Sequence, residues 1–299
     1  MSLRATAEGR LPALIVFGSA AFWGIYWLPQ RHLAEAGLTG GWATFGQFFL
    51  AALVLAPAIA WRWLRGQPSN LGRVFDTTLI GGGLVLYANS LLLTSVANAL
   101  LLFYLAPAWG TLLELGVQRR RPSLARLVAL AMSLAGLWIV VGEEHGVPWP
   151  QAVGDWCGLL AGMALVYGQF RVRTAPKGDD LGILVGVLAG GSVIALLFVA
   201  AFGDRLGPPL TAAGLTAAWP ALVLITIAFH VLGNVGLVWG ASRLDAGRYA
   251  ILILGDVIVG VASAALLTAE PFGWREATGW ALIVGAGSLE ILVRPKATG

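Results

Sequence analysis

Cysteine and histidine are scarce in this chain, and their scarcity excludes several kinds of site. The 299 residues include one cysteine, Cys157, and three histidines. A single thiol excludes an internal disulfide, and so few thiol and imidazole ligands provide no cluster with the spacing of a metal site. The patterns HExxH and GxSxG are missing as well, so the sequence offers no catalytic residue of the zinc-protease or serine-hydrolase kind. We therefore expect no enzyme, no metal and no cofactor.

Charge is also scarce, which excludes an ordinary soluble domain. Only 11% of the residues are charged while 58% are hydrophobic, and soluble domains carry about twice that charged fraction. A soluble core of this size cannot hide so many apolar side chains, so lipid must surround much of the molecule. The net charge of +4 does not indicate nucleic acid, because the basic residues lie between the apolar runs.

The apolar runs predict ten membrane spans joined by short connectors. Most of the runs approach the roughly 20 residues that a helix needs to cross about 30 Å of hydrocarbon. The predicted spans are Leu11–Leu28, Gly41–Trp61, Thr78–Val96, Leu100–Val117, Leu124–Val141, Trp156–Phe170, Leu181–Phe202, Ala218–Gly240, Tyr249–Leu267 and Trp274–Val293.

The positions of the basic residues predict the orientation of these spans. With the N-terminus in the cytoplasm, 16 of the 19 Lys and Arg residues lie on the cytoplasmic side of the membrane. Only Arg31, Arg205 and Arg275 lie on the outer side. Cytoplasmic loops carry such an excess of Lys and Arg, and a wrong number of spans would scramble it. We therefore expect an all-α integral membrane protein with ten helices and with both termini in the cytoplasm.

An internal repeat relates the two halves of the chain. The connectors RRRPSLAR, which ends at Arg126, and EPFGWREA, which begins at Glu270, overlay at a shift of 149 residues, so that Pro122 falls on Pro271. The same shift places the fourth span on the ninth. Because five spans is an odd number, the second copy must enter the membrane from the opposite side, and this inversion explains why one connector is basic and the other acidic. We expect two inverted five-helix repeats, residues 1–147 and 148–299.

Short motifs in the two halves resemble a known family. FWG in the first span, FYLAP in the fourth and the acidic-Pro turn before the last span resemble the EamA-type drug/metabolite transporter superfamily. FYLAP together with GNVGLVWGA in the eighth span is similar to the YddG-like aromatic amino-acid exporters of bacterial inner membranes. The resemblance implies export of neutral, often aromatic, amino acids through a cavity between the halves. One position departs from the family, whose members usually have proline at both equivalent midspan sites, because Pro107 is matched here by Asp256.

Two midspan residues are candidates for gating or coupling. Pro107 frees a backbone carbonyl and kinks its helix, as a hinge or as a fixed element of packing. Asp256 must face protein or water, because a lone carboxylate in lipid costs at least a few kcal/mol. It could bind a substrate ammonium, carry a proton or simply bond to a neighbouring helix.

The remaining candidates are aromatic and polar residues away from the span ends. His230 and Asn234 are four residues apart and so share a helical face. Aromatic side chains with a polar atom can stack on a ring and donate a hydrogen bond, although any one of them can equally be ordinary packing. The full set of substrate-binding candidates is Trp23, Tyr26, Tyr87, Tyr104, Tyr167, His230, Asn234 and Trp239.

The sequence thus favours a carrier of small molecules that works by alternating access, most simply an exporter of aromatic amino acids. We expect a monomer in the bacterial inner membrane, since one chain supplies both halves. Two alternatives stay open, a multidrug or cationic metabolite exporter, which Asp256 would suit, and a membrane scaffold that transports nothing.

The inverted arrangement makes a direct prediction about accessibility. In a Cys157→Ala background, we expect Ser123→Cys to react with a membrane-impermeant thiol reagent from the cytoplasmic face and Phe272→Cys from the opposite face. Labelling of intact and inside-out vesicles separates the two. Reaction of both cysteines from one face would contradict the inverted repeat.

Overall fold

The structure is a computed structural model, and the chain is helical throughout the part that it describes. The described residues are 3–66, 73–117, 119, 121–139, 149–174, 180–267 and 273–292. Within these residues every regular element is a helix. The chemistry of the membrane explains this, because a helix satisfies its backbone groups internally, where no water can do so.

The helices follow one another with short connections. In the first half they are α1 (Leu3–Trp23), α2 (Trp27–Glu35), α3 (Gly40–Leu64), α4 (Val74–Leu93), α5 (Val96–Phe103), α6 (Ala106–Gly116) and α7 (Leu124–Leu137). In the second half they are α8 (Val153–Thr174), α9 (Asp180–Phe202), α10 (Ala212–Ile225), α11 (Asn234–Ala241), α12 (Ala246–Leu252), α13 (Gly255–Leu267) and α14 (Trp274–Leu292). A π-helical segment, Thr226–Gly233, joins α10 to α11, and a 3-10 helix, Gly203–Leu206, follows α9.

Six helical segments of the described chain are long and apolar enough to cross a membrane. They are Arg10–Glu35, Gly40–Leu64, Val74–Leu93, Asn98–Gly116, Asp180–Phe202 and Ala212–Ala241. Two further apolar helices, Leu124–Leu137 and Ala277–Leu289, are shorter. The chain is therefore a multi-pass membrane protein by the length and composition of its helices.

The predicted sixth and ninth spans are not among these six segments. Helix α8 is long enough, but it carries Asp155, Arg171 and Arg173 near its ends. The ninth span is divided into α12 and α13, as the fourth is divided into α5 and α6.

Contacts between the two halves of the chain dominate the packing. Helix α4 lies against α8 and α9, and α3 also packs on α9. Helix α6 packs on α12, α7 on α14, and α1 on both α11 and α13. The largest hydrophobic cluster accordingly draws residues from both halves, such as Val16 and Leu252, neither of which is exposed. The halves are thus interleaved and share one core.

The outer surface is apolar, in agreement with lipid as its solvent. Large hydrophobic side chains such as Leu64, Leu124, Leu224 and Leu266 are mostly exposed. Exposed apolar surface on this scale would promote aggregation in water, whereas in a bilayer it packs against the hydrocarbon chains of the lipid.

One buried carboxylate anchors the start of α8. Asp155 is 2% exposed and accepts hydrogen bonds from the backbone N–H groups of Gln151 and Ala152 at 3.0 and 2.9 Å. It also accepts from the hydroxyl of Thr94, just after α4, and from the amide of Asn98 in α5. Burial alone would raise the pKa of Asp155, but these hydrogen bonds outweigh it, and the pKa lies below its ordinary value. The carboxylate therefore ties α8 to the turn between α4 and α5.

Replacement of Asp155 is expected to weaken the fold. An amide in Asp155→Asn accepts fewer of these hydrogen bonds, so we expect a loss of about 1–3 kcal/mol, measured as the unfolding midpoint in detergent. Because the folded pKa is depressed, the carboxylate stabilises the protein above its unfolded pKa, and this contribution is lost as the pH falls through the folded pKa. The difference between parent and variant should therefore shrink in acid.

Asp180→Asn is the matched control, since Asp180 also lies in the first turn of a helix but its side chain is 36% exposed. An equal loss of stability in both variants, or a difference independent of pH, would contradict the role of Asp155.

Candidate functional site

Two helix pairs are broken at equivalent places in the two halves. Helix α5 ends at Phe103 and α6 begins at Ala106, while α12 ends at Leu252 and α13 begins at Gly255. The shift of 149 residues that relates the connectors superposes these breaks in the sequence. Pro107 and Asp256 are each the second residue of the helix that follows its break.

Pro107 accounts for the break in the first half. It lacks the N–H group that would otherwise bond to the carbonyl of Phe103. That carbonyl lies against α8, where a Cβ atom on Gly162 would come within 2.5 Å of the Phe103 oxygen. The carbonyl of Pro107 itself accepts from the hydroxyl of Thr111 at 2.9 Å. The kink predicted at Pro107 is thus a complete interruption, covered by the backbone of a helix from the other half.

Asp256 occupies the corresponding position in the second half, where its carboxylate accepts two hydrogen bonds. One carboxylate oxygen accepts the backbone N–H of Val257 at 2.6 Å, and the other accepts the hydroxyl of Tyr104. Helix α1 packs closely beside it, since a Cβ atom on Gly24 would lie 2.5 Å from the Asp256 carbonyl oxygen. A negative charge in the first turn of a helix also interacts favourably with the helix dipole.

The hydrogen bond between Tyr104 and Asp256 is the centre of a tyrosine–aspartate cluster, formed by Tyr87, Phe103, Tyr104 and Asp256. The ring of Tyr87 stacks on that of Phe103 with 4.1 Å between centroids, and it meets the ring of Tyr104 edge-on at 6.4 Å. Tyr104 is 2% exposed. The structure therefore brings together three predicted site residues, Tyr87, Tyr104 and Asp256, from separate parts of the chain.

A second group of predicted residues forms an aromatic cage, defined as Trp23, Tyr26, Phe48, Phe229 and His230. The ring of His230 lies 5.3 Å from that of Trp23, 6.0 Å from Tyr26 and 5.0 Å from Phe48, between centroids. Phe229 completes the group at 5.2 Å from Tyr26. The cage thus joins the end of α1, helix α3 and the π-helical segment.

Gln47 supports the cage, and the sequence analysis missed it. It is 1% exposed; its side-chain oxygen accepts from the hydroxyl of Tyr26 and from the amide of Gln30, the latter at 3.0 Å. Its own amide donates to the carbonyl of Ala43 at 3.1 Å. The available signal was the lone amide within the long apolar run of α3.

His230 and Asn234 are both buried, and the π-helical segment ends between them. The amide of Asn234 donates to the backbone carbonyl of His230 at 2.9 Å. Asn234 therefore bonds to its own helix, and the imidazole of His230 reaches the cage.

Two predicted binding residues lie away from both clusters. Tyr167 is 40% exposed and stacks on Phe170 with 6.4 Å between centroids. Trp239 lies under the guanidinium of Arg243, which is 4.2 Å from its ring centroid.

Two pockets of the described chain are grooves on its surface. One, of about 280 Å³, lies between α4, α8 and α9, with Gly82, Gly83 and Ala164 among its lining residues. The other, of about 590 Å³, lies beside the end of α3 and includes Trp63. None of the predicted site residues lines either groove, because the two clusters are packed ring against ring.

Within the described residues, no group of three or more His, Cys, Asp or Glu side chains could hold a metal ion. The chemistry of the site is that of hydrogen bonds, one carboxylate and aromatic faces.

Comparisons with known proteins agree with this architecture. Residues 10–142 match the model of the EamA-like transporter family. A protein whose crystal structure has been solved shares the fold, with a TM-score of 0.72 and 20% sequence identity over 93% of this chain and 95% of that one. No curated protein matches the chain significantly.

The family resemblance seen in the motifs of the first half is confirmed by the matched region. The chain carries an EamA-like transporter family domain over residues 10–142, consistent with membership of the drug/metabolite transporter superfamily.

Proposed function

We propose that this protein exports neutral, aromatic amino acids across the bacterial inner membrane by alternating access between two inverted halves, residues 1–147 and 148–299. The observation that carries the proposal is the tyrosine–aspartate cluster at the two helix breaks. It combines a carboxylate, two hydroxyl groups, a stacked pair of rings, Tyr87 and Phe103, and the edge-on ring of Tyr104. A monomer with both termini in the cytoplasm would suffice, since one chain supplies both halves.

The pattern of helix contacts supports the inverted arrangement. Helix α4 packs on α8, and its counterpart α11 packs on α1. Helices α5 and α6 pack on α8, as α12 and α13 pack on α1. The pairs α3 with α9 and α7 with α14 each join an element to its own counterpart. A pseudo-twofold axis in the membrane plane would generate this set of contacts.

The chemistry of the cluster supports an amino-acid substrate. The ammonium of the substrate would take the place of the Tyr104 hydroxyl on Asp256, and its ring would stack among Tyr87 and Phe103. Its carboxylate would face the first turn of α6, where the positive end of the helix dipole lies. A phosphate-bearing substrate is less suitable, because such sites need Arg or Lys, and the cluster contains neither.

Ion pairs at the predicted cytoplasmic end support a closed inner gate. Glu114 in α6 is 5% exposed, pairs with Arg126 at 2.6 Å and accepts the backbone N–H of Gly247 at 2.8 Å. Asp245, two residues before Gly247, pairs with Arg173 of α8. Both halves are therefore held together at the start of α12.

A cationic metabolite or multidrug exporter is the second candidate. Asp256 lies beside aromatic rings, and this combination also recognises organic cations. Flux measurements separate the two candidates from each other and from a scaffold that transports nothing.

Transport by reconstituted protein tests the proposal. In proteoliposomes we expect uptake or release of labelled phenylalanine, and we expect a pH gradient to accelerate this flux. We expect Asp256→Asn to abolish the acceleration. The flux falls about tenfold for each 1.4 kcal/mol of coupling free energy that the variant loses. Asp180→Asn is the control, because it removes an exposed carboxylate. Flux of a dye cation alone would favour the second candidate, and no flux of either would favour the scaffold.

If phenylalanine flux is independent of the gradient and Asp256→Asn is unimpaired, proton coupling through Asp256 is wrong. A comparison with Tyr104→Phe then shows whether the hydrogen bond to Asp256 matters for the rate of transport.

A second measurement addresses the inner gate. Thr111 is 7% exposed and lies against Gly247, so Thr111→Cys in a Cys157→Ala background reports access from the cytoplasm. We expect Glu114→Gln to raise the rate of thiol labelling from that side at least about tenfold, because breaking a buried ion pair costs about 3–5 kcal/mol and each 1.4 kcal/mol is tenfold.

Arg243→Gln is the control for this measurement, because its pair with Asp180 is at the same end but is exposed. Unchanged labelling in Glu114→Gln, with a normal elution profile in detergent, would exclude Glu114 from the gate.

A further inference from the structure

The smaller of the two surface grooves follows helix α4, and we call it the α4 groove. Its volume is about 280 Å³, and it is lined by α4 from Phe75 to Leu86, by Ala164 of α8 and by Ile194 of α9. Apart from one threonine, all of its lining side chains are apolar. At 1.5 Å per residue, the distance from Phe75 to Leu86 is about 16 Å, which is close to half of the roughly 30 Å of bilayer hydrocarbon. The groove therefore matches the hydrocarbon of one leaflet in length and in polarity.

The groove exists because position 82 has no side chain. It lies in a run of three glycines, of which Gly81 and Gly83 are needed for close packing. A Cβ atom on Gly81 would lie 2.0 Å from a carbonyl oxygen of α9, and one on Gly83 would lie 3.0 Å from a carbonyl oxygen of α8. A Cβ atom on Gly82 would meet only the side chain of Ile194, at 3.4 Å. Helix packing thus accounts for Gly81 and Gly83, whereas Gly82 leaves space open to the groove.

Positive charge lies at the Phe75 end of the groove. Arg171 of α8 pairs with Asp76, the residue after Phe75, at 3.0 Å, and the Arg171 side chain is 49% exposed. Arg73, three residues before Asp76, is 6% exposed, and its Nε and Nη2 atoms have no hydrogen-bond partner within the described chain. The three residues comprise two guanidinium groups and one carboxylate. Together they carry a net positive charge.

A phosphate group complements this end of the groove. Arginine binds phosphate through charge-assisted hydrogen bonds, and basic groups between membrane helices on the cytoplasmic side bind anionic lipid head groups. The half-exposed side chain of Arg171 can make that contact, whereas the buried Arg73 contributes through its charge. Tyr167, four residues before Arg171 and 40% exposed, lies one turn away, as is typical of an aromatic residue at the membrane interface.

We propose that the α4 groove binds an anionic phospholipid of the cytoplasmic leaflet, with its phosphate against Arg171 and one acyl chain along α4 from Phe75 to Leu86. The leaflet follows from the proposed orientation, but the inference goes beyond the proposed function and does not depend on the substrate. Helix α4 belongs to the first half of the chain, and α8 and α9 belong to the second. The bound lipid therefore contacts both halves.

Two lipids with the same acyl chains test the head-group contact. Binding of dioleoyl phosphatidylglycerol, which is anionic, and dioleoyl phosphatidylethanolamine, which is zwitterionic, to the purified full-length protein in neutral detergent is measured by native mass spectrometry. We expect the parent to bind phosphatidylglycerol roughly tenfold more tightly, and we expect Arg171→Gln to remove this preference without weakening phosphatidylethanolamine. Arg243→Gln is the matched control, because Arg243 also pairs with an aspartate and its side chain is 38% exposed. It should keep the preference.

A second variant tests the acyl-chain contact. We expect Gly82→Leu to weaken both lipids by roughly tenfold and to preserve the ratio of their affinities, because the new side chain occupies the space of the acyl chain. Gly18→Leu is the matched control. Gly18 lies within α1, and a Cβ atom there would meet nothing within 4 Å, so this variant adds a leucine to another part of the surface. Both affinities should stay at the parental values.

Arg171→Lys separates a loss of charge from a loss of fold, since it keeps the positive charge and should keep the preference for phosphatidylglycerol. Equal affinities of the parent for the two lipids would overturn the inference, as would equal losses in the variants and their controls. Displacement of phosphatidylglycerol by an equal concentration of glycerol 3-phosphate would also overturn it, because the site would then bind a free anion. A parental dimer that Gly82→Leu converts to a monomer would instead assign the groove to a second copy of the chain. None of these measurements contains a transported substrate, so their failure leaves the proposed function intact.

Discussion

The need to satisfy every backbone group inside the bilayer governs the centre of this molecule. A helix that is interrupted in hydrocarbon exposes polar groups that lipid cannot bind, so an interruption persists only where protein or a wet cavity covers it. Here the carbonyl of Phe103, which Pro107 leaves without its helical donor, lies against α8, and the start of α13 lies against Gly24, just after α1. The side chains of Tyr104 and Asp256 then connect the two interruptions. Residues of the opposite half of the chain therefore cover both breaks.

The two breaks occupy the same place but use different chemistry. In the first half, Pro107 separates α5 from α6 because it has no N–H group to donate. In the second half, the carboxylate of Asp256 accepts the N–H of the next residue, Val257. The departure from the family pattern at this position therefore has a physical consequence. It keeps the interruption and adds a charge that the hydroxyl of Tyr104 can reach.

The same shift of 149 residues exposes a difference between the two ends of the molecule. Glu114 corresponds to Ser263, and Ser263 accepts a neutral hydrogen bond from the indole of Trp27 at 2.9 Å. Glu114 instead holds Arg126 and the backbone of Gly247. Breaking a buried ion pair costs more than breaking one neutral hydrogen bond. Under the proposed orientation, the cytoplasmic end is thus the more firmly closed of the two, and substrate on the inside must overcome that contact.

The sequence alone determined the solvent of this protein, its helical class, the family resemblance of its first half and the kink at Pro107. These features are local, since they depend on composition, on span length, on short motifs and on one proline. The break before Asp256 was not predicted, because no proline marks it. Only the tertiary structure decided which residues meet. Helical periodicity assigns a side chain to a face but does not say which neighbour that face meets, so Tyr87 and Tyr104 joined Asp256 while Tyr167 remained on the surface. Helical periodicity also gives no warning of the π-helical segment that contains His230, or of Gln47, whose side-chain oxygen accepts the hydroxyl of Tyr26.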